Sequence, residues 1–374
     1  MSYTIRYMLY LIGCAAKDTV PDIPAEPLDY ELMFKLSKEH QSENLVYASL
    51  ERINADVPGE IMHKFRQCYE KAIAREAKQE LELQNICAAF SEAEIRHIPL
   101  KGSVVKNMYP SPDLRQNGDI DILVDTKDEK MIKRIMTGIG FEAEAVTEKV
   151  LSFYKGKLHI EVHRHLLEPS DKRRGFFENI WETVSPVNGF TYEMTPEIQY
   201  TFLLAHIANH LLNGGAGIKL ITDLYVFDRP LDQLILNACL RETGLDTLNG
   251  IIRRLIDYWF GMKQSADDPV LFVSEYILKN GVYGNAVTSV RMGFSDIDTR
   301  GGKLSKYFKM TFRPYDTMKY LYPVLRKAPV LLPLCYGHRV FEKLTRDRSR
   351  IKQVAQGSRG SNDMHVLSEF KKIL

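Results

Sequence analysis

Two aspartates stand one residue apart in an otherwise apolar run, Asp119 and Asp121 in the stretch GDIDILV. This alternation predicts a short strand, because side chains two residues apart on a strand point to the same face. Two carboxylates held this close repel each other unless a proton or a cation lies between them. The pair therefore indicates a cation site, and its neighbours in the sequence must indicate which cation and which chemistry.

A third carboxylate lies on a second predicted strand, in the stretch KLHIEVHRH. Glu161 shares the polar face of that strand with His159 and His163, while aliphatic residues alternate with them. If this strand lies beside the first, Glu161 joins the two aspartates. Three hard oxygen ligands favour Mg²⁺, with Mn²⁺ as the alternative, over zinc. Two such ions can stabilise both oxygens of an in-line displacement at phosphorus, which is the chemistry that these residues predict.

A Gly-Ser turn lies upstream of the acidic pair, in IPLKGS, between a short predicted strand and a predicted helix. Backbone N–H groups at the start of a helix bind phosphate, and glycine lets the backbone approach closely. We therefore expect Gly102 and Ser103 to bind the phosphates of a nucleotide. Lys101 and Arg115 are the nearest cations for the remaining phosphate charge.

The order LKGS, GDIDILV, HIEVH resembles the polymerase-β-type nucleotidyltransferase superfamily. More narrowly, the chain resembles a bacterial family of uncharacterised nucleotidyltransferases, over LKGSVVKNMYPSPDLRQNGDIDILV, IEVHRHL, HIANH and YPVLRKAPVLLP, and this covers most of the chain. The resemblance implies that Gly102 and Ser103 contact nucleotide phosphates and that Asp119 and Asp121 bind both metals. It implies Glu161 as the third carboxylate, at a position where the superfamily more often has aspartate.

These observations predict a Mg²⁺-dependent enzyme that transfers NMP from an NTP to an acceptor and releases pyrophosphate. The acceptor is left open among a small molecule, a sugar, RNA and protein, and no DNA partner is expected. Two other functions remain as alternatives: a catalytically silent nucleotide-binding or scaffold protein of the same fold, and a metal phosphohydrolase. Solvated aspartates on an edge strand would have no such role, but the Gly-Ser turn and Glu161 disfavour that interpretation.

Two further histidines, His206 and His210, stand four residues apart and so share one face of a predicted helix. This spacing can bind metal, but the glutamate of the zinc-protease HExxH motif is absent. We expect these histidines to line the nucleotide or acceptor cleft or to satisfy buried polar groups. His163 is a further candidate for the acceptor cleft.

Hydrophobic periodicity predicts an α+β protein whose small mixed sheet is flanked by helical regions on both sides in the sequence. We divide the chain into an N-terminal helical region (1–95), a nucleotidyltransferase core (96–168) and a mainly helical C-terminal region (169–374). Within the core, VLSFY and LHIEVHRHL predict a hairpin. The stretch TKDEKMIKRIMTGIG predicts a helix that opens with a capping box from Thr126 to Glu129.

Composition further narrows the classes of protein to which the chain can belong. A formal net charge of +2 gives no global preference for nucleic acid. Five scattered cysteines without a CxxC pair argue against a zinc ribbon and indicate a reducing compartment, so we expect a cytoplasmic protein.

No apolar run approaches the ~18 residues of a membrane span. LIGC near the N-terminus resembles a lipoprotein cleavage site, but the flanking apolar spacing favours an ordinary amphipathic helix. The basic tail over 339–359 predicts a solvated face.

Overall fold

The computed structural model describes residues 1–263, 265–281, 315, 318, 322–326 and 328–338. Within these residues the chain is an α+β protein, with a mixed seven-stranded sheet and helices packed on both of its faces. The predicted fold class is therefore confirmed. The basic tail over 339–359 lies outside the described residues.

The helical elements fall before, within and after the sheet. The first group comprises α1 (Tyr3–Ala16), α2 (Tyr30–Glu39), α3 (Glu43–Arg52) and α4 (Gly59–Glu92). The short α5 (Gly102–Val105) and α6 (Glu129–Gly138) connect strands. The last group comprises α7 (Pro196–Leu212), α8 (Ile218–Val226), α9 (Gln233–Thr243), α10 (Asp246–Phe260) and α11 (Asp268–Asn280). Along the described residues, no helix has both the length and the apolar composition that crossing a membrane requires.

The strands form one sheet with the order β3-β4-β5-β2-β1-β7-β6. Their bounds are β1 (His97–Pro99), β2 (Ile120–Val124), β3 (Glu142–Val146), β4 (Val150–Lys155), β5 (Leu158–His163), β6 (Ser185–Asn188) and β7 (Thr191–Glu193). The predicted hairpin is confirmed, since β4 and β5 pair antiparallel. Strands β6 and β7 lie beyond residue 168, the predicted end of the core, but belong to the same sheet. The division of the chain into three regions stays a prediction.

The central strand β2 separates two apolar cores because its side chains alternate between the faces of the sheet. Ile120, Ile122 and Val124 pack with residues of α4 and α6 on one face. Leu123 belongs to the larger core that the remaining helices build on the other face. Asp121 shares that second face, so the helices that cover it also enclose the polar residues of the sheet.

Helices from both ends of the chain contribute to this larger core. Leu11 and Ile12 of α1 are fully buried and cluster with Leu255 and Trp259 of α10. The two helices approach so closely that a Cβ atom at Gly13 would lie 2.8 Å from Cβ of Phe260. The N-terminal helical region is thus packed into the fold rather than appended to it.

Helix α6 starts differently from the prediction. Oδ1 of Asp128 accepts hydrogen bonds from the backbone N–H groups of Lys130 and Met131, at 2.9 and 3.1 Å. The predicted capping box from Thr126 to Glu129 is therefore wrong. Asp128 caps the helix because its short carboxylate directly precedes the first helical residue and reaches the N–H groups of the first turn.

We expect the shared core to make α1 essential for stability. Replacing the buried Leu11 with alanine removes packing against the C-terminal helices, and Leu11→Ala should lower the free energy of unfolding by about 2–5 kcal/mol. Leu234, which is 82% exposed on α9, is the matched control, and Leu234→Ala should change it by less than about 0.5 kcal/mol. Urea denaturation measures both, and equal effects of the two substitutions would contradict the shared core.

Candidate active site

The parallel pairing of β2 with β5 brings the predicted carboxylates together. Asp121 is paired directly with Glu161, and Leu123 with His163. Asp119 immediately precedes β2. The potential ligand atoms of Asp119, His159 and Glu161 lie within 4.8 Å of one another, and so do those of Asp121, Glu161 and His163. Glu161 therefore belongs to both groups of possible metal ligands.

Two positively charged or proton-donating side chains converge on Asp121. Nζ of Lys101 and Nε2 of His163 each lie 2.6 Å from Oδ1 of Asp121, and His163 Nε2 is also 3.3 Å from Oε2 of Glu161. An ionised carboxylate can only accept, so the Nε2 atom carries the proton in these contacts. Burial acts to lower the pKa of Lys101, but the nearby carboxylates, Asp121 foremost, outweigh it and raise this pKa above its ordinary value.

The carboxylates differ in how well their charge is compensated. Burial acts to raise the pKa of Asp121, but Lys101 and His163 outweigh it and hold this pKa well below its ordinary value. At Glu161, burial again acts to raise the pKa, and the hydrogen bond from His163 helps to lower it overall. Burial raises the pKa of Asp119, and the charge of Asp121 raises it further. Asp119 thus has the least compensated charge of the three carboxylates.

The turn between β1 and α5 requires glycine at position 102. A Cβ atom there would lie 1.9 Å from Oδ1 of Asn117, so only glycine allows this contact. Lys101 adopts a backbone φ of +49°, a sparsely populated conformation for a residue with a side chain. Ser103 is buried and its backbone N–H donates to the carbonyl oxygen of Leu100, 3.1 Å away. The helix predicted after the turn consists of the four-residue α5 followed by a 3₁₀ turn (Lys106–Met108).

Arg115 anchors the loop before β2 to helix α8. Its Nε and Nη2 atoms donate to the two carboxylate oxygens of Asp223, at 2.8 and 2.7 Å, and both side chains are almost fully buried. Tyr109 donates its hydroxyl to the same carboxylate at 2.9 Å. Arg115 also donates through Nη1 to Oδ1 of Asn117, 2.8 Å away, and so holds the residue that contacts Gly102. Bidentate geometry of this kind fixes position as well as charge.

These residues surround one cavity of about 340 Å³. The described side chains and backbone that line it are Gln41, Lys101, Gly102, Arg115, Asn117, Gly118, Asp119, Asp121, Glu161, His206, His210, Lys219 and Leu220. Most of the residues predicted from sequence therefore meet at one place, although their roles there stay predictions.

His206 and His210 of α7 line this cavity, and the centres of their rings lie 4.5 Å apart in an edge-to-face arrangement. Burial and the charge of Lys101 lower the pKa of His206 well below its ordinary value and that of His210 to about 4. Both rings are consequently neutral near pH 7. Neutral rings can border either a sugar or a base without adding charge to the cavity.

Several residues at the cavity were not predicted as site residues. Gln41 and Lys219 carry no motif, and only the folding of distant segments brings them here, whereas Asn117 directly precedes the GDIDILV stretch. His159 could have been found, because it alternates with Glu161 along β5 and so shares its face. Period-two alternation was the available signal for that residue.

Sites that hold two metal ions occur in several classes of enzyme that act on phosphorus-containing groups. A family model described as "Uncharacterised nucleotidyltransferase" matches residues 26–261, which is more than half of the chain. The chain therefore belongs to this nucleotidyltransferase family. Searches among curated proteins and among solved structures found no match.

We expect the ion pair between Arg115 and Asp223 to hold the cavity in shape. Asp223→Asn leaves a buried guanidinium without its counter-charge and should lower the free energy of unfolding by about 3–5 kcal/mol. Glu275→Ala, which breaks an exposed pair with Lys279, is the control and should cost less than about 0.5 kcal/mol. Chemical denaturation compares the two, and a loss below about 1 kcal/mol in Asp223→Asn would rule out this anchoring role.

The histidines should make stability fall in mild acid. In the unfolded chain His210 takes up its proton near its ordinary pKa of 6.5, but in the folded chain only near 4. The free energy of unfolding should therefore decrease as the pH falls from about 6.5 to 4, by on the order of 3 kcal/mol for this residue.

His210→Gln should remove that part of the pH dependence. A residual slope should remain from His206, whose pKa burial also lowers, and from His40, whose pKa burial lowers to about 4. The difference between the denaturation profiles of the two proteins at pH 4 to 8 isolates the contribution of His210. Parallel profiles would show that His210 is not held neutral by the fold.

Proposed function

We propose that this protein is a Mg²⁺-dependent nucleotidyltransferase that moves NMP from an NTP to an acceptor and releases pyrophosphate. The observation that carries the proposal is the pairing of β2 with β5, which sets Glu161 beside Asp121 with Asp119 close by. These residues line a cavity of about 340 Å³. Membership of the nucleotidyltransferase family supports the class of reaction.

The donor atoms suit a hard divalent cation. The carboxylates of Asp119, Asp121 and Glu161 offer oxygen ligands in two groups that share Glu161, and Mg²⁺ prefers such ligands. His159 adds a nitrogen donor to one group, which Mn²⁺ accepts as well. Ions bound here would stabilise charge on the transferring phosphoryl oxygens and lower the pKa of the attacking hydroxyl.

The neighbours of the carboxylates orient them for this role. His163 donates from Nε2 to Asp121 and lies within ion-pair distance of Glu161, so it fixes the facing oxygens of both. Lys101 now compensates the charge of Asp121 from the adjacent turn. A cation held by Asp121 would take over that compensation, and the lysine ammonium would then be available to the phosphates of the nucleotide. Partners of this kind hold ligands in place before binding.

The remaining wall of the cavity is the proposed acceptor side. His206 and His210 lie there, and Arg115, whose charge is matched by Asp223, lines the same cavity. Because both rings are neutral near pH 7, they can accept a hydrogen bond from a hydroxyl or donate one to it. They would repel neither a cationic nor an anionic acceptor substrate. A small molecule, a sugar, an RNA end and a protein side chain all offer such a group. We place the reaction in the cytoplasm, which agrees with the five unpaired cysteines.

The double variant Asp119→Asn with Asp121→Asn tests the proposal. It removes two charges that would hold the metal, and pyrophosphate release should fall by at least about a thousandfold. Asp125→Asn is the matched control, because Asp125 follows the same strand but pairs with Arg96 away from the cavity. The assay measures pyrophosphate from each of the four NTPs with Mg²⁺ or Mn²⁺, using a cell extract as the source of acceptor.

Each alternative predicts a different result in that assay. Activity that persists in the double variant would rule out the proposed site. A protein that binds nucleotide but releases no pyrophosphate would be the silent binding protein of the same fold. Release of nucleotide products in water alone, without an acceptor, would indicate a phosphohydrolase.

A further inference from the structure

Three cationic side chains line the cavity within the described residues, and two of them are already matched by carboxylates. Lys101 is paired with Asp121, and Arg115 with Asp223. A nucleotide triphosphate brings several negative charges into a cavity that already contains acidic residues. Lys101 can contact phosphate only after a cation compensates Asp121, so the charge that is available from the start must come from a cation that no carboxylate holds.

Lys219 of α8 is that cation. Its Nζ atom donates to the uncharged amide oxygen Oε1 of Gln41, 2.6 Å away. Among the residues that the structure describes, no carboxylate lies within ion-pair distance of it. Gln41 comes from the turn between α2 and α3, so the contact closes the cavity between the N-terminal helices and α8.

The surroundings of Lys219 favour its uncharged form. Burial and the charge of Arg115 lower its pKa to about 7, against the opposing influence of Asp223 and Asp119. Two more basic groups face it, since Arg75 also lowers its pKa and the pKa of His210 is in turn lowered by Lys219. Near neutral pH, about half of the molecules therefore carry an uncharged amine at this position.

We propose that Lys219 binds the phosphate chain of the nucleotide, exchanging the amide oxygen of Gln41 for phosphate oxygens. This role rests on the proposed function and adds to it a phosphate-binding residue from the C-terminal helical region. A phosphate beside the amine favours the charged form. Nucleotide binding therefore draws a proton from solution onto each Lys219 that was uncharged before binding.

The size of this uptake follows from the pKa of Lys219, which is about 7. At pH 8 about nine-tenths of the lysines are uncharged, so binding takes up about 0.9 proton at this residue. At pH 6 nearly all are already charged, and the uptake there is about 0.1 proton. The difference in proton uptake between pH 8 and pH 6 identifies the contribution of Lys219.

Calorimetric titration measures this uptake directly. Each of the four NTPs, as an α,β-methylene analogue with saturating Mg²⁺, is titrated at pH 6 and pH 8 in buffers with different ionisation enthalpies. The dependence of the binding heat on the buffer gives the number of protons taken up. The wild-type protein should show the larger uptake at pH 8.

Two variants separate the effect of a positive charge at residue 219 from the effect of its protonation on binding. Lys219→Arg carries a permanent charge, so it should bind the analogue within a few-fold of wild type but lose the difference in proton uptake. Lys219→Met has no charge and should bind about tenfold to a hundredfold more weakly. Lys106→Arg is the control for the same exchange outside the cavity, because Lys106 is paired with Glu76 and Glu80. Its proton uptake should match that of wild type.

The outcomes separate this proposal from the proposed function. If Lys219→Arg takes up the same protons as wild type, or Lys219→Met binds as tightly, Lys219 does not bind phosphate. A normal affinity with a reduced transfer rate in Lys219→Met would assign the lysine to the acceptor and overturn the proposal. Failure of wild type to bind any of the four analogues would instead overturn the proposed function. If Lys219→Met does not fold, the proton count of Lys219→Arg still decides.

Discussion

The pairing of β2 with β5 is the constraint on which the rest of the site depends. Ile120 and Ile122 pair with Ile160 and Val162, and all four side chains are buried on one face of the sheet. This leaves Asp121 and Glu161 adjacent on the other face. A slip of one residue would turn the aliphatic side chains into the cavity and Glu161 into the apolar core, so the cost of that slip fixes the register. Burial on one face thus holds repelling charges together on the other.

Side chains outside the sheet make this accumulation of charge tolerable. Lys101 and His163 contact the same oxygen of Asp121, while burial and the charge of Asp121 raise the pKa of Asp119. The site is therefore balanced at one aspartate and deficient in positive charge at the other. That asymmetry supports the proposed binding of a cation, since a fully neutralised cluster would gain little from binding one.

The cavity exists because the two helical regions pack together over the sheet. Helix α1 lies against α10 in the larger core, and Gln41 from the N-terminal helices meets Lys219 from α8. The pair of Arg115 and Asp223 ties the loop before β2 to the same helix. The cavity-lining residues of these helical segments are Gln41, His206, His210, Lys219 and Leu220, and none of them is a carboxylate.

The sequence by itself determined the features that depend on local periodicity. Alternation along GDIDILV and LHIEVH assigned the carboxylates to one face of each strand, and the hairpin followed from its turn. The sequence did not determine which distant groups would meet. Arg115 and Asp223 are separated by 108 residues, and Gln41 and Lys219 by 178. The start of α6 was decided by a local competition between Thr126 and Asp128, which spacing alone does not resolve. Tertiary structure decided the partners and pKa values of the cavity residues, because charge compensation depends on distances between segments that packing alone sets.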